Sequence, residues 1–267
     1  KDLYFAHELG REFGVPLELA GLVEQTFIRA RSQYGGGAWS SQVVKLLEDA
    51  LGTELRVPGF PEVLKKGVWA GNPVRPEIAK IVPPAERFAG RDGALHLLVI
   101  GGSLGAQALN EMVPQGMALL GESELPQIVH QAGEKHIEAL KAYYAAVGVP
   151  AHCVSFIEDM AGAYEWADLV ICRSGALTVA ELAAAGVASI LVPFPHAVDD
   201  HQTGNARFLV NVGGAFLLPQ PELTPEAIAL IRNYSRGQLL EMAEKARSLA
   251  RPEAADELAD VCAEVAK

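Results

Sequence analysis

From about residue 68 onward the sequence alternates between two kinds of segment, and this alternation restricts the possible folds more than any other feature. Short apolar runs rich in β-branched residues are predicted as strands at 95–100, 127–130, 153–156, 169–172, 189–192 and 215–218. Alanine-rich helical patterns lie between them, at about 105–120, 134–146, 159–166, 176–185 and 202–212. Strands that alternate with helices predict an α/β fold, in which a doubly wound parallel sheet is covered by helices on both faces.

The first 57 residues have a different pattern. Apolar residues recur there at helical spacing and little is typical of a strand, so we expect a small all-helical segment over 1–57. Pro58, Pro61 and the run Lys65-Lys66-Gly67 predict a linker over 58–67. The remainder, 68–267, is predicted to form the α/β domain. Its last helices are expected near 225–232, 236–250 and 253–266.

The chain is acidic, since 22 basic and 33 acidic side chains give a net charge of −11. Such a surface repels the phosphates of nucleic acids, which disfavours a general nucleic-acid-binding role. Any phosphate that the chain binds must therefore be held by local geometry. The three cysteines cannot all pair, and no apolar run reaches the roughly 18 residues of a membrane-spanning helix. These features predict a cytosolic protein.

A glycine-rich turn follows the first predicted strand. The sequence Gly101-Gly102-Ser103-Leu104-Gly105-Ala106 leads into the next helix. Glycines let the backbone approach an anion closely, and a helix N-terminus offers unpaired N–H groups and a favourable dipole. Ser103 would add a hydroxyl donor. The alternative is a tight strand-to-helix turn that binds no ligand.

A second turn of this kind follows the fourth predicted strand. The sequence Arg173-Ser174-Gly175-Ala176 leads into a helix that contains Glu181. In a doubly wound sheet both turns lie near the carboxyl edge, where ligands bind. Two helix ends there can hold a diphosphate despite the negative net charge. The Glu181 carboxylate suits a vicinal diol such as that of ribose, and the alternative is a solvated helix face.

Polar side chains cluster after the fifth predicted strand, in Asp199-Asp200-His201-Gln202-Thr203-Gly204-Asn205. Side chains of these types hydrogen-bond to sugar hydroxyls. Two carboxylates beside a histidine also fit a metal site, but no further pair of ligands stands out, and we predict no metal. Two alternatives stay open: His201 as a catalytic base, and Asp199 or Asp200 as a helix N-cap.

A short turn segment, Gly71-Asn72-Pro73-Val74-Arg75, stands at the start of the α/β domain. Asn-Pro is typical of a turn. Arg75 is a candidate to lie flat on a base or to meet a phosphate. The alternative is an ordinary surface arginine.

Five segments of this sequence, in the same order, resemble the C-terminal half of the MurG family of glycosyltransferases. They are 71–75, 101–106, 156–160, 174–181 and 200–206, and the resemblance extends from about residue 59 to the end. It implies half of a GT-B fold, a Rossmann-like domain that binds UDP-N-acetylglucosamine. Members of the family add N-acetylglucosamine to lipid I, with inversion, and so form lipid II at the cytoplasmic face of the inner membrane. The resemblance implies no cofactor and no metal.

The resemblance also implies roles for single residues in binding the nucleoside and the sugar. Arg75 would lie by the uracil, and backbone groups of Ile157 would hydrogen-bond to the base. Glu181 would accept the ribose hydroxyls. Gln202 and Asn205, together with His201, would contact the sugar.

The diphosphate would be held by a second set of residues. Ser103 and the N–H groups of Ala176, Leu177 and Thr178 are the donors that the resemblance implies. The glycines expected to shape the two phosphate-binding turns are Gly102, Gly105 and Gly175.

Residues 1–57 resemble a different family, the helical C-terminal part of 3-hydroxyisobutyrate-type dehydrogenases. The likeness rests on Lys1-Asp2-Leu3, on Gly14-Val15-Pro16-Leu17 and on the stretch 41–48. We find neither the acceptor domain of the MurG family nor the G-x-G-x-x-G half of a dehydrogenase. We therefore expect a chimera, a fragment or part of a longer protein, which binds the donor with little or no turnover.

Two other functions stay open. One is a non-catalytic nucleotide-sugar-binding module that self-associates through 1–57, because such a short helical segment buries little apolar surface alone. The other, ranked last, is a fragment of a hydroxyacid dehydrogenase.

Overall fold

Six parallel strands form a single sheet in the order β3-β2-β1-β4-β5-β6. The computed structural model describes residues 71–102, 106–195 and 200–265, all within the unit Trp69–Lys267. The predicted helical segment 1–57 and the linker 58–67 lie outside the described residues. The strands are β1 (His96–Ile100), β2 (Gln127–Gln131), β3 (His152–Val154), β4 (Leu169–Cys172), β5 (Ala188–Leu191) and β6 (Ala215–Leu217). The predicted α/β class with a doubly wound parallel sheet is confirmed.

Helices connect the strands and cover the sheet. They are α1 (Pro76–Ala79), α2 (Pro84–Phe88), α3 (Gln107–Met117), α4 (Ile137–Val147), α5 (Met160–Trp166), α6 (Ala176–Ala185), α7 (His201–Val210), α8 (Pro225–Ala229), α9 (Arg236–Arg247) and α10 (Ala254–Val265). Short 3₁₀ turns occupy Gln220–Glu222 and Leu230–Asn233.

Alternate side chains of each central strand enter different layers of the core. In β1, Leu97 and Val99 pack with α3 and α4, whereas Leu98 packs with α5 and α6 on the opposite face. In β4, Ile171 belongs to the first layer and Val170 to the second. Because both faces are buried, these strands are continuous apolar runs in the sequence, as expected for a parallel sheet.

Some element ends differ from the predictions for physical reasons. The third strand was predicted to reach residue 156 but ends at Val154, because its partner β2 ends at Gln131 and Gly133 leaves the extended conformation with a φ of +83°. Phe156 is exposed and lies outside the sheet. The helix predicted to end near 120 ends at Met117, because the next residues close with 3₁₀-type hydrogen bonds.

The two crossovers next to the middle of the sheet leave it on opposite faces. Ile100 at the end of β1 is in register with Cys172 at the end of β4. From β1 the chain enters α3 on one face, and from β4 it enters α6 on the other. This divergence creates a crevice at the carboxyl edge, which is the usual ligand position in doubly wound folds.

The amino edge of the sheet is fixed by a buried carboxylate. Asp168 is fully buried just before β4, 2.5 Å from Nη1 of Arg91 and 3.0 Å from Nη2 of Arg236. The backbone N–H of His96 also donates to it, over 3.0 Å. Its charge is therefore paired and hydrogen-bonded, which is the condition for burying a carboxylate.

No helix in the described ranges combines the length and the apolar character needed to cross a bilayer.

A buried histidine lies in the core beneath α3 and α4. His130 Nε2 is 3.1 Å from Asn110 Oδ1, and Nδ1 is 3.0 Å from the Tyr144 hydroxyl. The Asn110 oxygen only accepts, so Nε2 carries the proton and Nδ1 accepts from Tyr144. Burial lowers the pKa of His130 to about 3. The imidazole is therefore neutral in the folded chain at neutral and mildly acidic pH.

We predict that this histidine makes the fold sensitive to acid. Below the unfolded-state pKa of about 6.5 the unfolded chain binds a proton that the folded chain does not bind until about pH 3, so stability falls as the pH falls. Between pH 6.5 and 4.5 the loss from His130 is about 2–3 kcal/mol. Urea unfolding at both pH values measures the free energy of unfolding. Between pH 6.5 and 4.5 this free energy should fall by about 2–3 kcal/mol less in His130→Gln than in wild type. The exposed His152→Gln serves as the control, and equal losses in wild type and His130→Gln would contradict the prediction.

Candidate functional site

Two helices begin side by side at the carboxyl edge of the sheet. Helix α3 starts at Gln107 after β1, and α6 starts at Ala176 after β4. Gly175 is the N-cap of α6, and Ala176 and Leu177 are exposed. The first N–H groups of a helix have no partner within it, so the start of α6 presents backbone donors at this edge. Ser103 and Gly105 lie outside the described residues.

A buried glutamine holds the first glycine turn. Gln131, at the end of β2, is 4% exposed. Its Oε1 accepts from Gly102 N over 3.1 Å, and its Nε2 donates to the carbonyls of Gly102 and Ser155, over 3.1 and 3.0 Å. Gly102 has a φ of +78°, which L side chains rarely adopt. Its contribution is therefore the shape of the turn, because its own N–H is committed to Gln131.

The carboxylate of Glu181 is anchored on both oxygens. Arg75 donates to Oε1 from Nε over 3.1 Å and from Nη2 over 2.9 Å, and the Tyr164 hydroxyl donates to Oε2 over 3.2 Å. The Glu181 side chain keeps 17% of its surface exposed and Arg75 keeps 51%. The anchored carboxylate is thus still accessible from solvent.

The segment that contains Arg75 runs along α6. Asn72 Nδ2 donates to the Ala176 carbonyl over 3.4 Å, five residues before Glu181, which Arg75 contacts. The two contacts hold the 72–75 segment against the start of α6.

Buried hydrogen bonds connect the second glycine turn to α7. The fully buried Ser174 donates from Oγ to the carbonyl of Gln202 over 2.8 Å, and Asn205 Nδ2 donates to the carbonyl of Ser174 over 3.1 Å. Gln202 Oε1 accepts from Phe194 N over 2.9 Å, which leaves the Nε2 donors of Gln202 outside that bond. The start of α7 is therefore fixed relative to the start of α6.

Helix α7 begins with an unusual backbone conformation. Asp200 is its N-cap with a φ of +51°, the only positive φ of a non-glycine residue in the described part of the chain. The predicted capping position is correct for Asp200, yet its carboxylate accepts from the Thr203 hydroxyl, over 2.6 Å, and not from a backbone N–H. His201 follows as the exposed first residue of α7. Asp199 lies outside the described residues.

A cavity of about 700 Å³ opens along this edge. Gly102 from the first turn and Gln202 from α7 both line it, together with His136 and Arg173. Arg173 donates to the carbonyls of Val192 and Pro193, both over 3.1 Å, and burial lowers the pKa of its guanidinium. Arg173 therefore supports the loop after β5. Among the described residues, no three His, Cys, Asp or Glu side chains are grouped to hold a metal ion.

The profile of the glycosyltransferase family 28 C-terminal domain matches residues 96–259. The chain belongs to this family. The matched range contains the sheet, the starts of α3 and α6, and Glu181, whereas Asn72 and Arg75 precede it.

Two relatives are highly similar to this chain in sequence. A UDP-N-acetylglucosamine–N-acetylmuramyl-(pentapeptide) pyrophosphoryl-undecaprenol N-acetylglucosamine transferase from Dechloromonas aromatica is 82% identical over 211 residues, which is 79% of this chain and 60% of that protein. The corresponding Azoarcus enzyme is 61% identical over 78% of this chain and 59% of its own length. The chain thus spans about three fifths of the length of these relatives.

Solved structures support the fold. The crystal structure of Acinetobacter baumannii MurG is 46% identical and superposes with a TM-score of 0.60, covering 64% of this chain and 52% of that one. WaaG, a glycosyltransferase of lipopolysaccharide biosynthesis, has a TM-score of 0.53 at 19% identity, covering 72% and 55%. The resemblance to MurG is confirmed. Neither the family profile nor these relatives supports the dehydrogenase resemblance of residues 1–57.

Hydrogen bonds place the predicted site residues in two groups, one around Glu181 and one around the turn before α6. Arg75 contacts Glu181, and Gln202 and Asn205 connect to the turn before Ala176. Ile157 lies in the loop after β3 and packs against the core layer that contains Tyr164. None of the hydrogen bonds among the described residues joins it to Arg75 or Glu181.

Sequence reasoning missed two residues that shape this edge, Gln131 and Tyr164. Gln131 carried a signal, because a polar residue that ends an apolar strand at the carboxyl edge is a site candidate. Tyr164 carried none, since nothing in an alanine-rich helix marks one aromatic residue as a hydrogen-bond donor to another helix.

Proposed function

We propose that this chain forms the UDP-N-acetylglucosamine-binding domain of a peptidoglycan N-acetylglucosaminyltransferase, which converts lipid I to lipid II. The observation that carries the proposal is the exposed start of α6 next to an anchored carboxylate, Glu181, at the carboxyl edge of the sheet. The names of the Dechloromonas and Azoarcus relatives support the choice of donor and acceptor.

The diphosphate of the donor would bind at the helix starts. The N–H groups of Ala176, Leu177 and Thr178 donate to its oxygens, and the α6 dipole favours its charge. Gly175 supports this role, because a residue without a side chain leaves the approach to these N–H groups open. Ser103 and Gly105 are proposed to complete the phosphate site from the first turn.

The nucleoside would lie between the 72–75 segment and the loop after β3. Glu181 accepts hydrogen bonds from the ribose hydroxyls through lone pairs that its anchors leave free. The half-exposed Arg75 borders the uracil while it holds Glu181, and backbone groups of Ile157 pair with the base.

The sugar would face α7. Gln202 is proposed to contact its hydroxyls through Nε2, because Oε1 already accepts from Phe194 N. Asn205 donates to Ser174, so its role is shared between the sugar and the position of the α6 turn. His201 is exposed at the start of α7 and stays a candidate for sugar contact or for proton transfer.

The transfer step would use position and charge stabilisation. The acceptor hydroxyl attacks the anomeric carbon with inversion and loses its proton to a base, for which His201 is the candidate among the described residues. The bond to the diphosphate breaks, and UDP leaves with the electron pair. The α6 N–H groups stabilise the negative charge that develops on the leaving diphosphate. We propose no resident cofactor, and we place the reaction at the cytoplasmic face of the inner membrane, where the lipid-linked acceptor would be the partner.

We predict that isothermal calorimetry of the full chain will detect saturable binding of UDP-N-acetylglucosamine and of UDP, and none of NAD or NADP. Glu181→Ala should weaken UDP binding by about 1–3 kcal/mol, since it leaves polar partners unpaired. Glu138→Ala, which removes an exposed glutamate of α4, is the control and should bind like wild type. Unchanged affinity in Glu181→Ala would reject the ribose role, and preferential binding of NAD would reject the proposed function.

We also propose that the 267-residue chain alone binds the donor with little or no turnover. Every contact assigned above serves the donor, and none of the described residues is assigned to hold the lipid acceptor. An assay with a lipid I analogue and radiolabelled UDP-N-acetylglucosamine should yield no labelled lipid II, although calorimetry detects donor binding. Efficient formation of lipid II by this chain would contradict the proposal.

Self-association through residues 1–57 is a separate proposal. Light scattering, which measures the molar mass in solution, tests it.

A further inference from the structure

Tyr164 on α5 is buried in the core layer beneath α6 and is 1% exposed. Its hydroxyl is 3.2 Å from Oε2 of Glu181, the only hydrogen-bond partner that the described residues give it. Burying a hydroxyl without a partner is costly, so a purely apolar position would favour phenylalanine. The hydroxyl is therefore explained by its contact with Glu181.

The phenol keeps its proton under all ordinary conditions. Burial raises the pKa of Tyr164 well above its usual value, and the negative charge of Glu181 raises it further. A neutral phenol next to a carboxylate donates to it, and a hydrogen bond to a charged acceptor is stronger than one between neutral groups.

The two anchors of Glu181 differ in their surroundings. Arg75 is half exposed, and its side chain borders the proposed base site. Tyr164 is packed between helices and cannot move without disturbing the core. Arg75 gives the carboxylate two hydrogen bonds from a half-exposed side chain, whereas Tyr164 gives it one from a side chain that the core holds in place.

We propose that Tyr164 is a positioning residue for nucleotide recognition: it holds the Glu181 carboxylate in the orientation that accepts both the 2′ and the 3′ hydroxyl of the ribose. This inference rests on the proposed function. Tyr164 touches no ligand itself and acts through Glu181. Tyr164 should therefore increase the binding affinity only for ligands that carry the ribose diol.

The test compares two ligands with two tyrosine variants of the full chain by calorimetry. UDP contains the diol, and 2′,3′-dideoxy-UDP lacks it. Tyr164→Phe should bind UDP about five- to tenfold more weakly than wild type, because the Glu181 carboxylate must then be ordered when the ligand binds. Its affinity for the dideoxy analogue should equal that of wild type.

Tyr144→Phe is the matched control. Tyr144 is also buried, but its hydroxyl contacts His130 on the other face of the sheet. This variant should leave both affinities unchanged. If Tyr164→Phe lowers the affinity for both ligands by the same factor, or lowers neither affinity, the positioning role is overturned.

The wild-type chain separates this inference from the proposed function. Wild type that binds neither ligand contradicts the proposed function, and with it the inference. Wild type that prefers UDP, together with a Tyr164→Phe variant that keeps the same preference, overturns the inference alone.

A crystal structure of the wild-type chain with UDP gives a second test, which holds even if Tyr164→Phe does not fold. We expect the Tyr164 hydroxyl to remain within hydrogen-bond distance of Glu181 while the carboxylate accepts the ribose hydroxyls. A carboxylate that leaves Tyr164 to reach the ribose would overturn the inference.

Discussion

The alignment of β1 with β4 is the constraint on which the rest of the site depends. Because Ile100 and Cys172 are in register, both strands end at the same level. Their following helices then start as neighbours and separate onto opposite faces of the sheet. A crevice with two helix starts follows from this topology alone. The side chains at the edge decide what the crevice can bind.

A recurrent arrangement supports those side chains. Three parts of the edge are each held by a buried polar side chain: the first turn by Gln131, Glu181 by Tyr164, and the start of α7 by Ser174. Buried partners restrict motion more than exposed ones, because close packing limits their rotamers. Fixed N–H groups attract a phosphate at short range and need no positive net charge. Phosphate binding is therefore compatible with the net charge of −11.

Apolar periodicity was enough to predict the strands and the helices between them. The signal is strong because strands buried on both faces need continuous apolar runs, which glycine turns separate. Contacts between distant residues were beyond such reasoning. Arg75 and Glu181 are 106 residues apart, and nothing local in either segment indicates that they pair. The same holds for Gly102 and Gln131, 29 residues apart, whose pairing depends on the register between β1 and β2. Residue chemistry suggested some ligand roles, such as ribose for Glu181, and the resemblance to a family supplied the others.

The proposed function depends on one role, in which backbone N–H groups at the helix starts hold the diphosphate of a uridine nucleotide. Amide ¹H–¹⁵N chemical shifts of the full chain test it most directly, in titrations with UDP and with uridine. We expect the amides of Ala176, Leu177 and Thr178 to shift strongly with UDP and little with uridine, because only UDP offers phosphate oxygens to them. Shifts of these amides that are equal for the two ligands, or absent with saturating UDP, would contradict it.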